Sequence, residues 1–147
     1  MSSPSAEDIY HDESPEAARK LLLELASAGD HDAEFYLGHL ADESSPRDQA
    51  SALLWYRKAA ASGHLEAAHW AASFMYFGMG TEQDIEGALA MFRSCAESGL
   101  DSSQWKLGQH LLAVPGKRNE ALHWLRLAAA QGHTAAIDIL ASEGDAQ

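Results

Sequence analysis

Four glycines set the frame of this chain. Gly29, Gly63, Gly99 and Gly132 lie 34, 36 and 33 residues apart, a period that belongs to stacked helix pairs. The same residue types return at the same offsets around each one. Eleven before stands an alanine: Ala18, Ala52, Ala88, Ala121. Eight before stands a large apolar residue: Leu21, Trp55, Met91, Trp124. Seven before come Leu22, Tyr56, Phe92 and Leu125, and three before come Ala26, Ala60, Ala96 and Ala129. Four after comes a small residue, Ala33, Ala67, Ser103 or Ala136, and eight after come Leu37, Ala71, Leu107 and Leu140. The stretch Ala60–Gly99 shows one unit whole: two helical patterns joined through Gly78-Met79-Gly80, closing on the A-x-S-G it began from.

A chain of 147 residues suits one domain, with a continuous core if the repeats stack. Its net charge of −12 argues against nucleic acid and against anionic membrane surfaces. A basic or mixed-charge protein partner is compatible, although acidity also serves solubility. A single cysteine, Cys95, makes an intramolecular disulfide framework impossible and points to a reducing compartment. No segment resembles a signal peptide, and no apolar run approaches the roughly 18 residues of a membrane span. The expectation is a soluble cytoplasmic protein.

In chain order, residues 1–13 read as a mobile acidic tail, with Ile9 and Tyr10, its only apolar pair, candidates to pack on the first helix. Ser14-Pro15-Glu16 starts a closing-type helix that ends at Gly29. Three repeats follow, about 29–62, 63–98 and 99–131. Within them helices are expected near 30–41, from Ser45-Pro46 to 61, 64–77, 82–97, 101–112 and 118–130. A partial repeat at 132–142 and a polar end at 143–147 finish the chain. The repeat domain thus spans 14–142, with eight helices and no strand.

The pattern Ala67-x-x-x-Ala71-Ala72-x-x-Met75-x-x-Gly78-x-Gly80-x-x-x-Asp84-x-x-x-Ala88, ending Phe92-Arg93 and Ala96-x-x-Gly99, resembles the Sel-one-like repeat family, relatives of the tetratricopeptide repeats. Leu37-Gly38, Leu107-Gly108 and Trp55-Tyr56-Arg57-Lys58-Ala59-Ala60 carry the same resemblance in the other units. It covers residues 15–141. The first and third loops within repeats are shorter than the family's G-x-G. The resemblance implies an all-α, right-handed superhelical solenoid of antiparallel helix pairs. It also implies an adaptor, scaffold or regulator that binds other proteins, with no catalytic residue and no cofactor. Some cysteine-rich relatives bind β-lactams, but their repeats are clamped by disulfides that one cysteine cannot form.

Individual residues carry little catalytic chemistry. His64-x-Glu66-x-x-His69 places its histidines five apart, about 140° around a helix, unlike the i, i+4 pair of H-E-x-x-H zinc sites. His64 and His133 read as polar residues at helix starts. Cys95 falls in an apolar column and reads as a buried small hydrophobe. Gly78-x-Gly80 lacks the context of a phosphate loop and reads as an inter-helix turn. Arg57, Arg93 and Arg126 share a column that reads as a solvated face with carboxylate neighbours such as Glu97.

One stripe suggests binding. Positions three, six, ten and thirteen after each glycine lie away from the small residues of the opening helices. They include Phe35, His39, His69, Tyr76, Trp105 and Gln109. Relatives line a concave groove with this face, and aromatics among polar residues suit protein recognition. The reading is a non-enzymatic module that binds a peptide or protein in that groove, as an adaptor, chaperone or immunity-type inhibitor. The alternative is a small-molecule-binding or hydrolytic protein using the groove's histidines and carboxylates. A structural oligomer is a third reading.

Overall fold

Each turn glycine closes one helix and hands the chain to the next. In the computed structural model, which describes residues 2–144, Gly29, Gly63, Gly99 and Gly132 hold φ of 94°, 94°, 96° and 89°. Around Gly63, the glycine N–H donates to the Ala60 carbonyl at 2.9 Å and the His64 N–H donates to Ala59 at 3.2 Å. The same pair of bonds recurs at the other three glycines. This closure satisfies carbonyls that a helix end leaves open, and it needs a residue tolerant of positive φ. In three of the four corners the next residue caps the following helix: the side chains of Asp30, His64 and His133 accept from the amides of Ala33, Ala67 and Ala136. Leu100 makes no such bond.

Nine helices result among the described residues, with no strand. They are α1 (Ala6–Asp12), α2 (Pro15–Ser27), α3 (His31–Glu43), α4 (Gln49–Ala61), α5 (Leu65–Phe77), α6 (Ile85–Glu97), α7 (Asp101–Leu112), α8 (Arg118–Ala130) and α9 (Thr134–Ser142). Of the expected polar end, residues 145–147 lie outside the described residues. The chain divides into two units, Met1–Ile85 and Glu86–Gln147.

The ninth helix corrects the expected N-terminal tail. Residues 6–12 form α1 behind a reciprocal capping box: the Ser5 hydroxyl accepts from the Asp8 N–H, and the Asp8 carboxylate accepts from the Ser5 N–H. Ala6 and Ile9 are buried in a cluster with Ala18, Leu22, Ala33 and Leu37. α1 packs on α2 and α3, so it takes the place of an opening helix ahead of α2. Two apolar residues in an acidic run are a faint signal, and a short helix on a preformed surface needs no more.

Two helix starts move as well. α4 begins at Gln49 rather than at Ser45-Pro46, because the Asp48 carboxylate accepts from the Ser51 N–H at 3.0 Å and takes the cap. α6 begins at Ile85 rather than at Glu82. The preceding residues fold back on α5, with the Asp84 N–H on the Met75 carbonyl and the Gln83 amide on that of Tyr76.

Within the first unit α2 packs on α3, α3 on α4 and α4 on α5; within the second, α7 packs on α8 and α8 on α9. The Leu-Gly pairs of the opening helices have a steric cause. A Cβ on Gly38 would stand 2.5 Å from the Tyr56 ring, and one on Gly108 would stand 2.7 Å from Leu125 Cγ. Helix pairs this close leave no room for a methyl group. Trp124 is buried as its column suggests, whereas Trp55 is only partly covered, with the Lys58 ammonium 5.4 Å from its ring.

Candidate functional site

The opening helices of the first unit, α1, α3 and α5, bring aromatic rings and carboxylates together. The Tyr10 ring on α1 stacks on Tyr36 of α3, centroids 4.9 Å apart. Its hydroxyl donates to Glu43 at the far end of α3. Burial, then this bond, raises the Tyr10 pKa far above the ordinary phenol range, so the hydroxyl stays protonated. On α3, Phe35 and His39 lie one turn apart with centroids at 4.4 Å. On α5, Trp70 meets the His39 ring edge-on at 5.4 Å. These rings and the carboxylates Asp42, Glu43 and Glu66 surround a cleft of about 400 Å³.

His39 is fixed from below. Nδ1 lies 2.8 Å from the Tyr56 hydroxyl on α4. Burial raises the Tyr56 pKa far above its usual range, so that hydroxyl keeps its proton. Burial also lowers the His39 pKa, against the pull of Glu43 and Asp42. The imidazole is therefore neutral at pH 7 and hydrogen-bonded to Tyr56 through Nδ1.

Phe35 forms the floor and is 5% exposed. His64 lies over it, ring planes 26° apart and centroids 4.7 Å apart. The Nδ1 of His64 accepts from the Ala67 N–H at 3.1 Å, and its Nε2–H donates to Asp32 at 2.9 Å. One histidine thus caps α5, covers the floor of the cleft and ties back to α3. The second unit repeats the arrangement: His133 caps α9 and stacks on Trp105, 5.1 Å away.

The expected binding stripe divides on these facts. Phe35 and His39 belong to the cleft, Phe35 as buried floor rather than as a contact surface. His69 is partly buried beside Trp70 and does not line the cleft. Tyr76 packs edge-on to Phe77 at 5.0 Å. Trp105, expected on a free binding face, is instead partly buried against the Leu122–Leu125–Leu140 core cluster and beneath His133. Gln109 is exposed and accepts a long bond of 3.4 Å from Lys106.

The cleft residues the stripe missed are Tyr10, Tyr36, Trp70 and Glu43, whereas Asp42 and Glu66, at positions thirteen and three, belong to it. Tyr36 and Trp70 stand seven after their glycines, and Glu43 stands fourteen after. Beside the expected positions three, six, ten and thirteen, the cleft is therefore lined by positions seven and fourteen, each one residue and about 100° further round the helix. Position six turns under the next repeat's cap, which is why Phe35 and Trp105 are covered. Tyr36 and Trp70 at matching offsets were the legible signal.

A larger cleft of about 510 Å³ opens elsewhere in the first unit, lined by Arg19, Leu23, Leu40, Ser45 and Trp55 among others. Cys95 is buried, and burial pushes its thiol up despite a bond from Ser103. Arg93 pairs with Glu120 at 2.6 Å rather than with Glu97. Among the described residues no helix is long and apolar enough to cross a membrane.

Antiparallel helix pairs joined by glycine corners, with a histidine cap seated on the preceding repeat, define an α-hairpin repeat protein. The Sel1 repeat model matches residues 31–64, 65–100 and 101–133, and the chain belongs to that family. It is 34% identical over 111 residues to an uncharacterized protein of Neisseria meningitidis serogroup B, covering 72% of this chain and 23% of the relative. Two solved structures share the fold. One is a protective antigen of uropathogenic Escherichia coli with an SLR fold (TM-score 0.79, 27% identity, 93% of this chain and 31% of that one). The other is a Sel1 repeat protein from Oxalobacter formigenes (TM-score 0.81, 26% identity, 93% of this chain and 60% of that one). The chain spans less than a quarter of the Neisseria relative's length. Sel1 repeat proteins generally mediate protein–protein interaction and are typically non-enzymatic.

Proposed function

We propose that this chain is a non-catalytic protein-binding module, and that its first unit engages a partner at the cleft between α1, α3 and α5. The observation that carries the reading is the meeting of Tyr10, Tyr36 and Trp70 around a cleft of about 400 Å³. Trp70 is 38% exposed, a large ring left uncovered beside partly covered tyrosines. Binding energy concentrates in such aromatic anchors. The residues best placed for acid–base chemistry, His39 and Tyr56, are bonded to each other and held as neutral groups. A protein or peptide partner fits the acidic charge; nucleic acid does not. A cytoplasmic setting is part of the proposal and rests on the single, buried cysteine.

Affinity copurification from the native cell tests it, using the wild type, Tyr36→Ala and Trp70→Ala. Truncating a central anchor is expected to lower affinity at least about tenfold, with the melting temperature nearly unchanged for Trp70→Ala. Retention of the same partners by both variants, at unchanged strength, overturns the placement of the site.

A further inference from the structure

The cleft's lining has one electrostatic character. Asp42, Glu43 and Glu66 stand on it, and no lysine or arginine lines it. Glu43 is engaged by the Tyr10 hydroxyl, and Asp42 by the guanidinium of Arg47 at 2.7 Å. Glu66 on α5 is exposed, and no ion pair holds it among the described residues. Glu7, Glu66 and Asp32 add to burial in raising the Tyr36 hydroxyl pKa, so the mouth is a region of negative potential. The rings add their own preference, because an aromatic face carries negative quadrupole charge that attracts a cation.

We propose that the cleft holds an arginine side chain projecting from an extended segment of the partner protein. The inference rests on the protein-binding reading and adds the chemistry of the anchor. A guanidinium is planar, so it stacks on Trp70 or Tyr36, and its edge carries donors for Glu66. An ammonium is compact and more strongly hydrated, and it loses both advantages. The volume is within the range of about 300–1,000 Å³ that holds drug-sized ligands, which matches an arginine together with its flanking backbone. The overall charge of −12 favours encounter with a basic segment.

The test is a titration followed by ¹H–¹⁵N NMR at the indole signals of the four tryptophans. The probes are acetyl-Gly-Arg-Gly-amide and the same peptide with citrulline, the neutral isostere, or with lysine. The arginine peptide is expected to move the Trp70 indole and to bind at least about threefold tighter than either other peptide. Glu66→Gln, an exposed and isosteric change, is expected to narrow the arginine–citrulline gap, and Trp70→Ala to abolish binding with the other indole signals in place. Equal binding of arginine and citrulline, equal binding of lysine, or an unmoved Trp70 signal each overturns the arginine anchor. Partner retention that is lost in Trp70→Ala, with no arginine preference, sinks this inference and leaves the protein-binding cleft. Partner retention unaffected by Trp70→Ala and Tyr36→Ala sinks the cleft itself.

Discussion

His39 shows how much a single side chain takes from its surroundings. Burial lowers its pKa while Glu43 and Asp42 pull the other way, and burial wins. A buried histidine that stays neutral makes the folded state bind fewer protons than the unfolded chain, whose imidazole has a pKa of about 6.5. Stability from this group is therefore full above pH 6.5 and declines as pH falls towards the folded value. Denaturant unfolding between pH 7 and pH 5 should show that decline, and His39→Gln should flatten it. The chain holds eight histidines, so the difference between wild type and His39→Gln is what isolates this imidazole. Trp105 makes the opposite point. Its offset from Gly99 resembled an exposed anchor, but its ring lies between His133 and the Leu122–Leu125 cluster. Trp105→Ala should cost about 2–4 kcal/mol of stability by denaturant unfolding, as removal of a largely covered aromatic does. A neutral result would return it to the surface.

At the scale of elements, the corner glycines and the first helix decide most. A Cβ on Gly99 would meet nothing within 4 Å, yet the φ of +96° there is one that side chains with a Cβ seldom adopt. Gly99→Ala should therefore destabilise by about 1 kcal/mol through backbone strain alone, measurable as a shift in the denaturant midpoint. α1 is the element the acidic sequence concealed. Ile9 is 5% exposed, and Ile9→Ala should cost about 2–4 kcal/mol, the ordinary loss for a buried aliphatic side chain. A mobile tail would register no loss. Because Tyr10 sits one residue on, loosening α1 should also weaken whatever the cleft binds. The helices between the corners were legible because alanine, leucine and glycine return at fixed offsets. The starts of α4 and α6 were not. Ser45-Pro46 and Glu82 are good local signals, and Asp48 and the fold-back of Gln83 and Asp84 onto α5 outcompeted them.

At the scale of the molecule, a charge of −12 in 147 residues sets how partners arrive. Association with a basic segment should slow as salt is raised from about 50 to 500 mM, since screening shortens the reach of the field to a few ångströms. Stopped-flow mixing with the copurified partner reads this directly. A rate indifferent to salt would count against a basic partner. The sequence alone determined the helical repeat, its period, its turns and its family, because each depends on residue types at fixed spacing along one chain. Tertiary structure alone decided which flank of the opening helices stays open. His64 and His133 fold over position six, so the uncovered rings of the first unit stand at position seven, one residue and about 100° further round the helix. Spacing along one helix locates a side chain to within such an angle. Only the neighbouring repeat, packed in place, settles which side it covers.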